Sequence, residues 1–239
     1  MTDTATTERG IRPLDAVERR VLGTLIEKGK TTPDQYPLSL NALVTGCNQK
    51  SNREPVMTLD EEQVMRAVLS LRACGAMAEV FGSGKIPRYR HLAYEWLGVE
   101  KEELAILGEL LLRGEQTEGD LRGRASRMDP IPDLDALRGH LDRLAARGLV
   151  VWLSPPGRGR MLTHGLLPAE KLEKVRNQLG VAGTGVEAAP DEDDRAAVAE
   201  PPARPTVAAA GDLVERVARL EERLAAALER LDALDGGAA

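Results

Sequence analysis

Arg158-Gly159-Arg160 sets two guanidiniums on either side of a glycine, which leaves the backbone free to approach a phosphate. The string Asn48 to Pro55 offers a second chemistry. It presents Lys50, Asn52 and Arg53, and amide and guanidinium groups make bidentate pairs with base edges. Further cations fall in groups: Arg66 and Arg72, then Lys85, Arg88 and Arg90, then Arg122, Arg124 and Arg127, then Arg138 and Arg143. Acids stand against them. Asp60-Glu61-Glu62 precedes Arg66, and Asp133, Asp135 and Asp142 surround Arg138, and such acids repel a phosphate backbone. The polar string has a second reading as a self-capping turn, with Asn and Ser bonding the backbone and Arg53 pairing with Glu54.

Catalytic chemistry finds little support. The three histidines, His91, His140 and His164, are far apart in sequence. Gly82-Ser83-Gly84-Lys85 lacks the flanking residues of a phosphate loop, with Glu79 and Ile86 where Gly and Ser or Thr are required. No nucleophile elbow, CxxC or paired metal-ligand spacing is present. No enzyme activity, metal or cofactor is expected.

The elements that must carry the cations come in a repeated order. Leu14, Val17, Val21, Leu22, Leu25 and Ile26 have helical spacing, with Glu18, Arg19 and Arg20 on the wet side and Gly29 as a stop. Ser39 caps a short second helix. Thr58 or Asp60 caps a third, carried by Val64, Val68 and Leu71 and stopped by Gly75. Met77 to Phe81 and Ile86 to Ala93 read as a β-hairpin. The order then repeats. Leu104, Leu107, Leu110 and Leu111 form a helix, and Thr117 opens a short one. Leu134, Leu137, Leu141 and Leu144 form a third, stopped by Gly148. Leu149–Leu153 and Arg160–His164 are strands around a Pro155-Pro156-Gly157 turn, and His91 and His164 fall at matching return-strand positions.

Helix, short helix, helix, hairpin is the winged helix-turn-helix order, here found twice. The strings Tyr36-Pro37-Leu38-Ser39-Leu40-Asn41 and Cys47-Asn48-Gln49-Lys50-Ser51-Asn52-Arg53-Glu54-Pro55-Val56 resemble the YceH family of conserved bacterial proteins. The resemblance covers roughly residues 14–175 and implies tandem winged-helix domains, with no established activity. The expected fold is mainly α with small β-hairpin wings (α+β): two tandem winged helix-turn-helix domains plus a C-terminal helix. The domains are residues 14–98 and 99–180, after a flexible N-terminus at 1–13.

The chain has 239 residues and a formal net charge of -6. That charge is uneven. Residues 181–210 hold six acids against two arginines, and residues 211–239 hold seven against four. The tail therefore carries -7 and residues 1–180 carry +1, so the acidity does not exclude DNA. Residues 181–210, with Asp191 to Asp194 and Pro201, Pro202 and Pro205, have the composition of a disordered linker. Residues 211–235 regain helical periodicity. Leu213, Val217, Leu220, Leu224, Leu231 and Leu234 form a coiled-coil seam and a route to a homodimer. Two cysteines, an N-terminus without an apolar core and no long apolar run point to a cytoplasmic protein without membrane insertion. Duplex DNA is the expected partner of a transcription-associated regulator. A protein adapter that dimerises and docks through its winged helices is the alternative.

Overall fold

The computed structural model describes residues 10–81 and 86–182. Lys85 and the 211–235 seam (Leu213, Val217, Leu220, Leu224, Leu231 and Leu234) lie outside the described residues. The described chain is mixed α and β, with eight α-helices and two small antiparallel sheets among these residues. No helix among them is long and apolar enough to cross a membrane.

Helix α1 (Ala16–Thr31) starts where Asp15 caps the Val17 and Glu18 N–H groups and the Glu18 carboxylate returns to the Asp15 N–H. It runs past Gly29, which the sequence marked as a stop. A Cβ at Gly29 would meet His91 Nε2 at 3.3 Å and Tyr36 at 3.4 Å, so the glycine makes room for those rings. Ser39 caps α2 (Leu40–Cys47), and Asp60 with Gln63 caps α3 (Glu61–Ala73) in a capping box. Strands β1 (Leu38–Ser39), β2 (Met77–Phe81) and β3 (Pro87–His91) form one sheet with β3 central. A short α4 (Ala93–Leu97) follows, so Ala93 belongs to a helix rather than to the strand expected there.

The second half repeats this plan. It runs through α5 (Lys101–Arg113), β4 (Gln116–Thr117), α6 (Glu118–Ala125), α7 (Leu134–Ala146), β5 (Val150–Trp152) and β6 (Met161–His164), with β6 central in its sheet. Thr117 caps α6 as Ser39 caps α2, and Asp133 caps α7. Helix α8 (Ala169–Ala182) closes the described chain. Neither the two-residue strands β1 and β4 nor α4 and α8 was legible as an element in the sequence.

One hydrophobic core runs through both halves, from Leu14 to Leu166. Its centre is the crossing of α1 and α5. A Cβ on Gly23 would lie 2.9 Å from Leu112, and one on Gly108 would lie 2.7 Å from Ile26. Each helix thus gives up a side chain so that the other's can seat. The Leu14 N–H donates to the Leu166 carbonyl at 2.9 Å, tying the start of this region to its end. The structure overturns the expectation for Glu18, Arg19 and Arg20, which are 3%, 8% and 2% exposed. Glu18 is held by Arg12 at 2.6 Å and Arg20 by the Cys47 and Pro55 carbonyls, while Arg19 faces β6 and α8 of the second half. Cys47 and Cys74 are both free and buried, as small hydrophobes would be.

The paired histidines are structural. His91 pairs with Met77 across its hairpin and His164 with Val150. His91 Nδ1 accepts the Ala93 N–H at 3.4 Å, and His164 Nδ1 accepts the Leu166 N–H at 3.2 Å, the same two-residue turn in each half. Burial and then the Lys30 charge push the His91 pKa down to about 4. Burial and then Arg19 and Lys171 push that of His164 down to about 3. Below pH 6.5 the unfolded chain protonates both rings while the folded chain resists, so stability is lost as pH falls from there toward 4. At about 1.4 kcal/mol per pKa unit, the two rings cost on the order of a few kcal/mol by pH 5. Urea unfolding at pH 7.5 and 5.0 checks this. The His91→Asn/His164→Asn variant should lose most of the pH dependence, and an undiminished dependence would assign it to other groups.

Candidate nucleic-acid interface

The candidate cations divide by what already holds them. Lys50 is exposed in the loop after α2. Asn52 is half-buried at a left-handed φ of 57°. Its Oδ1 accepts from Arg113 Nη2 at 2.8 Å and from Arg127 Nη1 at 2.9 Å, so it reaches across to the second half. Arg53 is 2% exposed. It donates to Glu27 Oε2 at 2.6 Å and through Nε to the Gly46 carbonyl at 3.1 Å. Arg53 is not free to meet a base edge, and that expectation is corrected; Asn52 has its Oδ1 already engaged. The local Arg53–Glu54 pair gives way to Glu27, because Glu27 sits on the face of α1 that the loop covers. The loop is a clasp. Asn48 clips both backbone groups of Leu59 at 2.7 Å, and the Glu54 N–H reaches the Leu112 carbonyl at 2.9 Å.

The third helices of the two halves are also largely neutralised. Arg66 pairs with Glu62 at 2.5 Å. Arg138 pairs with Glu118 at 3.2 Å and Asp135 at 3.3 Å, and the Glu118 carboxylate holds its guanidinium pKa above the ordinary value. Arg143 pairs with Glu103 at 2.9 Å and Glu100 at 3.7 Å. Ligand atoms of Glu100, Glu103 and His140 lie within 4.8 Å of one another, a spacing that a metal ion can use. Arg143 already supplies positive charge there, with Nη2 on His140 Nδ1 at 2.7 Å.

The hairpins keep more of their charge. Arg88 and Arg90 are exposed on one face of β3, with Arg88 donating to the Pro37 carbonyl at 2.9 Å. In the β5–β6 turn Arg158 is exposed between Gly157 and Gly159, at φ of 150° and 75°. Arg160 lies flat over Trp152, 3.5 Å from guanidinium carbon to ring centroid. Arg160, Trp152, Arg138 and Glu118 converge on a shallow cavity of about 230 Å³ beside α7. The sequence named both arginines but not the tryptophan that orients one of them.

This is a mixed α/β protein of two repeated helical halves joined through one core, and each hairpin carries arginines that no carboxylate pairs among the described residues. The chain belongs to the family described as "Protein of unknown function, DUF480", which matches residues 14–158, the first half and the second as far as the β5–β6 turn. It is 56% identical over 171 residues to a UPF0502 protein of Rhodopirellula baltica, covering 70% of this chain and 72% of that one. It is 54% identical over 134 residues to a UPF0502 protein of Geotalea daltonii, covering 56% of this chain and 62% of that relative. A UPF0502 protein of Geobacter sulfurreducens is also 54% identical over 134 residues, with 56% of this chain and 61% of the relative covered. The matches therefore span less than two thirds of the Geotalea and Geobacter proteins. The conserved bacterial family is the one to which the two polar strings pointed.

Proposed function

We propose that the chain is a non-catalytic, cytoplasmic protein of two tandem winged-helix domains, residues 14–98 and 99–180, that associates with duplex DNA. Its hairpin wings grip phosphates, and its third helices contribute little base reading. The repeated order of three helices and a hairpin supports the fold. The observation that carries the function is the second wing, where Arg158 stands free between two glycines and Arg160 is held flat on Trp152. Lys50, Arg88 and Arg90 are exposed cations of the first half. Binding to phosphates alone is sequence-tolerant.

Binding of the full chain to duplex DNA across a salt series tests the reading. Each phosphate contact adds a slope of about -0.9 in log affinity against log salt, so a total of roughly -2 to -4 is expected. Arg158→Ala/Arg160→Ala should flatten it by about 2. An unchanged slope removes the wing, and no binding at about 50 mM salt removes DNA. One observation favours an adapter as second reading. Phe81 and Ile86, flanking the turn of the first hairpin, are 67% and 69% exposed, which suits a protein partner better than a phosphate.

A further inference from the structure

A cavity of about 310 Å³ lies where α1, α5, β6 and α8 meet. Four cations line it: Arg19 and Arg20 from α1, Arg113 from α5 and Lys171 from α8. Two carboxylates, Glu54 and Glu115, line it from exposed positions. Arg113 is answered by Glu109 at 2.9 Å. Arg19 and Arg20 form no ion pair within 4 Å among the described residues, although both are over nine-tenths buried. Arg19 donates one N–H to the Leu14 carbonyl at 2.6 Å. Arg20 donates to the carbonyls of Cys47 at 3.0 Å and Pro55 at 2.5 Å, and its Nε has no partner. A buried guanidinium without a counter-anion is costly, and two adjacent ones are costlier.

Neutral donors complete the lining. Thr163 is fully buried and its hydroxyl has no hydrogen-bond partner. His164 spends Nδ1 on the Leu166 N–H, so its neutral ring carries the proton on Nε2 and is a donor there. The remaining lining is apolar, with Leu110, Leu111, Leu167 and Val175. Unpaired cations, spare N–H and O–H groups and an apolar wall specify a ligand with one anionic end and one greasy end.

We propose that this cavity binds a small organic anion, a carboxylate or phosphate monoester with an apolar body. Arg19 is its principal counter-charge, and Arg20, Lys171, Thr163 and His164 are supporting groups. The ligand touches α1 of the first half and α5, β6 and α8 of the second, so its occupancy braces the two halves.

Calorimetric titration and thermal unfolding of the full chain test this, with benzoate, phenyl phosphate and inorganic phosphate as probes against sodium chloride at equal ionic strength. Phenyl phosphate or benzoate should bind at least tenfold more tightly than inorganic phosphate and raise the unfolding temperature. Whichever of the two binds more tightly identifies the headgroup. Thr163→Val and Lys171→Gln keep the fold, since the threonine hydroxyl has no partner to lose and Lys171 is exposed. Each should weaken binding about tenfold. A purely structural role for the cluster predicts that Thr163→Val only stabilises, with probe binding untouched. The proposal falls on that result, or if every probe behaves as chloride does. No DNA is present, so its failure is distinct from that of the wing reading.

Discussion

Gly165→Ala should leave the chain unable to hold its native fold, with a loss of more than about 3 kcal/mol. A Cβ on Gly165 would lie 1.7 Å from the Gly148 carbonyl oxygen and 2.8 Å from its carbon. The obstacle is backbone, so no rotamer relieves it. Neither segment can retreat. Gly148 turns the chain out of α7 at a φ of 70°, and the Gly165 N–H is bonded to the Leu149 carbonyl at 2.7 Å. Strands β5 and β6 fix the two segments from the other side. In the first half the equivalent bond runs from the Leu92 N–H to the Ala76 carbonyl at 2.8 Å, with a leucine in place of the glycine. The tight approach therefore belongs to the second half alone. Gly123→Ala is the control. Gly123 lies within α6 with nothing within 4 Å of its missing Cβ, and alanine there should stabilise by about 0.5 to 1 kcal/mol. Urea unfolding separates the two, and a Gly165→Ala protein as stable as the parent would refute the packing.

Arg53→Met should cost about 3 to 5 kcal/mol, the usual penalty for stranding one member of a buried ion pair. The Arg53 side chain is 0% exposed and its partner Glu27 10% exposed, at 2.6 Å. Removing the guanidinium strands that carboxylate and also the Gly46 carbonyl, which Arg53 bonds through two nitrogens at 3.1 Å and 3.0 Å. Arg53→Met/Glu27→Leu should recover most of the loss, because the pair then leaves no uncompensated charge. Exposed Arg158→Ala should change stability by less than about 0.5 kcal/mol. Equilibrium unfolding of the three variants checks this, and an undestabilised Arg53→Met would refute the buried pair.

These residues also show what was legible in the sequence. The repeat was, because Ser39 and Thr117, Asp60, Gly75 and Gly148 are local signals that cap or end elements wherever they stand; Asp133, read as an acid against phosphate, proved to be the matching cap of α7. Paired hairpins followed, since alternation and turn residues are local too. The faces of α1 were not. Helical periodicity assigned Glu18, Arg19 and Arg20 to water, because the pattern of one helix does not report what distant sequence brings onto it, such as Arg12 at Glu18 and the Cys47 and Pro55 carbonyls at Arg20. The same blindness hid the role of the loop after α2. Its self-capping was one of two readings and holds for Asn48, which bonds the Leu59 backbone, but nothing in sequence shows that Glu27, Arg113 and Arg127 gather at Asn52 and Arg53. The candidate interface divided in the same way. Arg158 could be read from its glycines, but the carboxylates that occupy Arg138 and Arg143 come from α6 and from the start of α5.

The bond between Leu14 and Leu166 has a consequence for synthesis. Helix α1 is made early, yet its partner α5 and the Leu166 carbonyl beyond β6 are translated later. At about 5 to 20 residues per second, the ribosome needs about 8 to 30 s to deliver Leu166 after Leu14. Helix α5 is complete only at Arg113, so for about 5 to 20 s after Leu14 Ile26 and the groove at Gly23 have no α5 to pack on. The first half therefore emerges as an incomplete folding unit with a sticky face. A chaperone, or a pause in translation, would act on it at that stage.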